Sequence, residues 1–177
     1  MNTSLDMVRS AREVALMNAQ LRKSLEEWFN RKGDCPDPEI TDFNEWVERL
    51  ADRLAGWIKD DKLVTVENLV SALRVQADAD PWAKFFAVRA RMDGWKTDTC
   101  CNVEDGMVYA SVWLSRTEKD KTDKRADEIA GEFRKLGYTA DIWVDEEEDT
   151  DYTVNAVIDF AGFLNAEKEY NNKKGGR

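Results

Sequence analysis

The 177 residues carry 36 acidic and 26 basic side chains, a net charge of −10, and no histidine. The missing imidazole removes the commonest general base and the commonest metal ligand, while 42% hydrophobic residues with seven Trp and seven Phe exclude wholesale disorder. The chain is long enough for one core or two small ones, and with no apolar h-region at its start and no apolar run near the ~18 residues of a membrane span it is expected to be cytoplasmic.

From Ser4 to about Arg31, apolar residues recur at Leu5, Val8, Ala11, Ala15, Leu21, Leu25, Trp28 and Phe29 with no Gly or Pro between them, which predicts one long helix. Its stripe is thin at Asn18, so it must pack on a partner, either its own chain or a second copy; a homodimer through this helix is one expectation. The run Gly33-Asp34-Cys35-Pro36-Asp37-Pro38 ends it. Asp42 with Glu45 three residues on is a capping-box-like start for a second helix carrying Phe43, Trp46, Val47, Leu50, Leu54, Trp57 and Ile58. A third, from Val66 to about Gln76, is capped by Thr65.

After Asp80-Pro81 the pattern shifts to period two. Phe86, Val88, Ala90 and Met92 alternate with Phe85, Ala87, Arg89 and Arg91, and Met107–Leu114 is apolar on both faces, so two strands are predicted with residues 93–106 as a polar loop between them. Thr117–Leu136 reads as a helix stopped by Gly137. Thr139–Asp145 and Tyr152–Phe160 alternate as two further strands. The expected class is α+β: a helical region over residues 1–80, a ββαββ sheet domain over 81–165 covered on one face, and a polar tail over 166–177. Counted from the third helix, α-β-β-α-β-β is a permuted ferredoxin-like arrangement, with Met107–Leu114 and Thr139–Asp145 parallel through the crossover helix.

No catalytic signature is present. The nine glycines form no dinucleotide, triphosphate or acyl-transfer motif, and a Ser or Cys nucleophile lacks its usual imidazole. Cys35, Cys100 and Cys101 are an odd set without zinc-ligand spacing, so they read as free thiols in a reducing compartment. An EF-hand loop begun at Asp145 would need Gly at Thr150 and Glu at Ala156. No cofactor, no metal and no enzymatic activity are expected.

Charge lies in blocks: residues 33–80 hold five basic and twelve acidic side chains, and residues 137–177 hold four and ten. The basic pairs Arg22/Lys23, Arg31/Lys32 and Lys124/Arg125 are interleaved with acids, which argues against direct nucleic-acid binding. Between Lys135 and Lys168 there is no basic residue, yet Asp141, Asp145, Glu146, Glu147, Glu148, Asp149, Asp151 and Asp159 fall there. Alternation turns Asp141, Trp143, Asp145 and Glu147 to one face and Ile142 and Val144 to the other, and Tyr152, Val154, Ala156, Ile158 and Phe160 oppose Asp151, Thr153, Asn155 and Asp159. A solvated, aggregation-proof turn is the plainer reading. The sharper one is recognition of a basic protein surface with Trp143 as anchor.

Asp141 to Glu147 spans roughly 20 Å of strand, over which duplex DNA carries on the order of twelve charges against the hairpin's eight. The resulting expectation is a noncatalytic acidic binding protein, an inhibitor occupying the basic nucleic-acid groove of a DNA- or RNA-handling complex, as a phage- or plasmid-type accessory protein would. The alternative is a ferredoxin-like ligand-binding or regulatory module using the sheet face or the 93–106 loop. A carboxylate-only enzyme is the third.

Overall fold

The computed structural model describes residues 5–31, 33–115, 122–144 and 151–175. The chain divides into two compact units, Met1–Asp78 with Val103–Gly106, and Ala79–Asn102 with Met107–Arg177. No helix among the described residues is long and apolar enough to cross a membrane.

The first unit is helical. Two helices, α1 (Leu5–Met17) and α2 (Ala19–Asn30), replace the single helix that the stripe over 4–31 predicts. Asn18 divides them: its backbone is extended (φ −82°, ψ 112°) and its side chain accepts the Leu21 N–H at 3.0 Å, because a short amide satisfies a new helix start better than it continues an old one. The two halves then fold against α3 (Phe43–Ile58) and α4 (Val66–Ala77). Val8, Ala11, Ala15, Leu21 and Leu25 are buried there, so the chain's own helices cover the inner stripe.

The expected caps of α3 and α4 are present. Asp42 accepts the Glu45 N–H at 2.8 Å and Thr65 accepts the Asn68 N–H at 3.1 Å. Trp46, Val47, Leu50, Ala51, Leu54, Ala55 and Ile58 form the inner face of α3. The loop before it is pinned by indoles: Trp46 donates to the Pro36 carbonyl at 2.6 Å and Trp28 to the Asp34 carbonyl at 3.2 Å.

The second unit opens with a correction. Pro81–Met92 is a helix, α5, rather than a strand. Asp80 caps it, accepting the Trp82 and Ala83 N–H groups at 2.9 and 3.2 Å, and Pro81 occupies the first turn. Trp82, Ala83, Phe86, Ala87 and Ala90 are the buried residues, a helical spacing that outweighs the alternation of Phe86, Val88, Ala90 and Met92.

A second correction follows, since most of the expected 93–106 loop is strand β1 (Lys96–Glu104). Asp105 and Gly106, both at positive φ (55° and 76°), form the two-residue turn into β2 (Met107–Ser115), the backbone that suits a tight hairpin. Within the first unit, the Gly106 N–H donates to the Trp57 carbonyl at 2.7 Å and Asp105 pairs with Lys59 at 2.6 Å.

Helix α6 (Thr122–Lys135), β3 (Thr139–Val144), β4 (Asp151–Asp159) and α7 (Phe160–Gly175) complete the unit. Residues 166–177, expected as a polar tail, are thus helical as far as Gly175. Strand order is β1-β2-β4-β3. Both β2 and β3 run antiparallel to β4, so they are parallel to each other with β4 between them. Moving the first strand of a βαββαβ unit to its end yields this order, with α5 in place of the helix predicted from Val66 to about Gln76. The α+β layout is therefore as expected, and the register of its αββαββ unit along the sequence is shifted.

Helices α5, α6 and α7 cover one sheet face. Val108, Ala110, Val112 and Leu114 of β2 and Tyr152, Val154, Ala156 and Ile158 of β4 are buried beneath them. The alternate residues of each strand are left to the other face.

Candidate functional site

The open face of the sheet can be read row by row from the strand register. In the first row Trp143 of β3 lies opposite Thr153 of β4, and Thr153 opposite Trp113 of β2. The next row is Asp141, Asn155 and Ser111, and the third is Thr139, Val157 and Tyr109. Directly opposed residues of antiparallel strands share a face, so these nine side chains form one surface. Trp143 is 58% exposed and Tyr109 40% exposed. The Ser111 hydroxyl donates to Asn155 Oδ1 at 2.8 Å, and the Thr139 hydroxyl donates to the Val157 carbonyl at 3.2 Å. These bonds tie Ser111 to Asn155 and Thr139 to the β4 backbone.

Four of the nine candidate residues fall on this surface. Asp141 and Trp143 are two residues apart on the same edge strand, hence about 7 Å apart along it. Asp151 stands opposite Ser115 at one end of β4 and Asp159 opposite Met107 at the other, roughly 26 Å apart for eight residues of strand. Asp159 also has local work: its Oδ1 accepts the Gly162 N–H at 2.6 Å at the start of α7. It reads as a helix cap in addition to a surface acid. Asp145, Glu146, Glu147, Glu148 and Asp149 lie outside the described residues.

Trp113 and Tyr109 escape the sequence reading, as does the aromatic character of the surface. The sequence predicts an acidic face with one tryptophan, whereas the observed one carries three aromatics in its outer rows, on β2 and β3, around a polar middle row of Asp141, Asn155 and Ser111. The signal was there in Met107–Leu114, apolar on both faces, but such a run fits a strand buried on both sides equally well.

Buried polar groups gather on the covered side. Asp80 is wholly buried. Its Oδ1 caps α5 and its Oδ2 accepts the Tyr138 hydroxyl at 2.5 Å. Burial raises the Asp80 carboxyl above the usual carboxylate range, opposed by the Tyr138 and backbone hydrogen bonds, and burial next to Asp80 raises the Tyr138 phenol. Cys101 Sγ accepts the Asp80 N–H at 2.9 Å, which turns Cys101 to the helical side and leaves Cys100 exposed on the other. With both Asp80 oxygens engaged in capping α5 and tying it to Tyr138, this carboxylate is a structural group. Among the described residues, no group of three or more Cys, Asp or Glu side chains is placed to hold a metal ion. No family model, curated protein or solved structure matches this chain.

Proposed function

We propose that the protein is a noncatalytic binding protein whose open sheet face, together with the acidic segment between β3 and β4, engages an arginine-rich protein surface. The observation that carries this is the exposed Trp143 beside Asp141 on an uncovered edge strand, with a second tryptophan two strands away in the same row. A guanidinium is suited to such a place, because it stacks on an indole face and pairs with a carboxylate at the same time, where an ammonium makes only the point contact. The concrete form of the reading is an inhibitor that occupies the nucleic-acid groove of a DNA- or RNA-handling complex. Its support is the eight carboxylates between Asp141 and Asp159 with no intervening base.

The experiment is capture of partners by the tagged protein from its native cell, followed by titration of each purified partner. Trp143→Ala and Asp141→Asn are each expected to weaken binding about tenfold, affinity should fall steeply from about 50 to about 300 mM salt, and the partner's own nucleic acid should compete. A partner that binds both variants like the wild type, with no response to salt, would overturn the reading.

A further inference from the structure

The helical side of the sheet unit carries a second, oppositely charged feature. Helices α5 and α7 together form an open hollow of about 200 Å³ lined by Trp82, Phe85, Tyr170, Lys173 and Lys174. Its floor is fixed: the Trp82 indole N–H donates to the Ala166 carbonyl at 2.8 Å. Phe85 and Tyr170 meet the Trp82 ring edge-on, with centroids 5.7 and 5.4 Å away. Lys173 Nζ lies 5.6 Å from the centroids of both Trp82 and Phe85, and the Arg89 guanidinium lies 5.6 Å from Phe85. Among the described residues none of Lys173, Lys174 and Arg89 has an ion-pair partner, although Arg12, Arg22, Arg53, Arg125 and Lys135 all find one.

In a chain with ten more acids than bases, two cations on an aromatic floor whose lining holds no carboxylate call for an anion from outside. We propose that this hollow binds a small planar acid, an aromatic ring bearing one carboxylate or sulfonate. The flat body would lie on the apolar floor, where stacking and area removed from water favour a ring over a chain. The acid group would meet Lys173 and Lys174, whose ammonium groups are held at the rim of an apolar surface, where a charge pair is screened less than in open solvent. The Tyr170 hydroxyl, without a hydrogen-bond partner among the described residues, is a further donor at that rim. This site is independent of the acidic face: it lies on α5 and α7, uses the opposite charge and asks for a different ligand.

The probe is 2-naphthoate, titrated into the full chain by calorimetry and by amide chemical-shift mapping, with uncharged 2-naphthamide alongside. Shifts should concentrate on α5 and on the second half of α7, and naphthoate should bind about fivefold or more tightly than naphthamide. The exposed pair Lys173→Gln/Lys174→Gln should erase that preference while leaving the melting temperature unchanged, and Tyr170→Ala should weaken both compounds. Equal binding of acid and amide, an unchanged preference in the double lysine variant, shifts located elsewhere, or no shifts at millimolar naphthoate would each overturn the proposal.

Discussion

The two faces of one sheet differ in what covers them, although they are built from alternate residues of the same strands. In β2, Val108, Ala110, Val112 and Leu114 are buried, while Tyr109, Ser111 and Trp113 between them face the other way. In β4, Tyr152, Val154, Ala156 and Ile158 stand against Asp151, Thr153, Asn155 and Asp159. The covered face holds buried residues, mostly aliphatic with Tyr152 among them, packed under three helices, so its side chains decide whether the unit folds. The open face leaves Trp143 and Tyr109 exposed and Trp113 half-buried, so Trp143 above all adds little to folding. Exposed large aromatics among carboxylates are what a contact surface needs and what a core has no use for.

The largest expected effect separates the faces by stability. Leu114→Ala removes a fully buried side chain and should cost about 2–5 kcal/mol through lost burial and the cavity left behind. Trp143→Ala, on the same sheet but 58% exposed, should cost less than about 1 kcal/mol. Denaturant melts of the two variants measure both. Similar losses would mean that Trp143 belongs to the core and that the open face is not free for a partner.

A smaller contrast concerns two aspartates. Asp80 is buried on the covered side, with its carboxyl raised above 3.8 by desolvation, while Asp141 stands in water on the open side. A carboxyl whose folded pKa is raised holds its proton more tightly when folded than when unfolded. Its contribution is therefore fully present below the unfolded value near 3.8 and is lost as pH rises through the higher folded value. Asp80→Asn removes that loss while keeping an oxygen for the Trp82 and Ala83 N–H groups. The stability of this variant relative to wild type should accordingly rise as pH climbs from about 4 toward neutrality. Thermal melts across that range, compared variant by variant, check the sign.

Which parts of this arrangement were legible depended on whether local and tertiary signals agreed. Helix α3 was readable because its cap at Asp42 and its apolar spacing point the same way, and β3 and β4 because their alternation matches a sheet covered on one side. Helix α5 was misread because Phe85 to Met92 satisfies period two as well as helical spacing. Asp80 and Pro81, an acid cap followed by a proline suited to the first helical turn, were the deciding signal. Strand β1 was hidden by its polarity. Lys96, Asp98 and Asn102 suit an edge strand that must not pair with another chain, and Asp105-Gly106 alone betrayed the hairpin. Asn18 shows the reverse case, where one capping side chain cuts an otherwise continuous stripe. The aromatic rows of the open face needed the register itself, since only pairing brings Trp113 and Trp143 to either side of Thr153.

The smallest expected effect on stability tests whether the acidic segment belongs with the open face in function. Replacing Glu146, Glu147, Glu148, Asp149 and Asp151 by Gln or Asn removes five like charges within six consecutive residues. Asp151, described at the end of β4 opposite Ser115, has no ion-pair partner among the described residues, and like charges this close in sequence repel one another. Folding stability should therefore change by less than about 1 kcal/mol, in the stabilising direction if at all. Binding to a partner of the open face should weaken through slower association, with the salt dependence flattened, because charges near a docking surface act mainly by steering the encounter. Stopped-flow association rates at two salt concentrations, set beside those of Trp143→Ala, make the distinction. Loss of the indole should speed dissociation and leave the salt slope intact, and loss of the carboxylates should slow association and remove it. A neutralised segment with unchanged rates would confine the interface to the aromatic rows and leave the carboxylates without a part in binding.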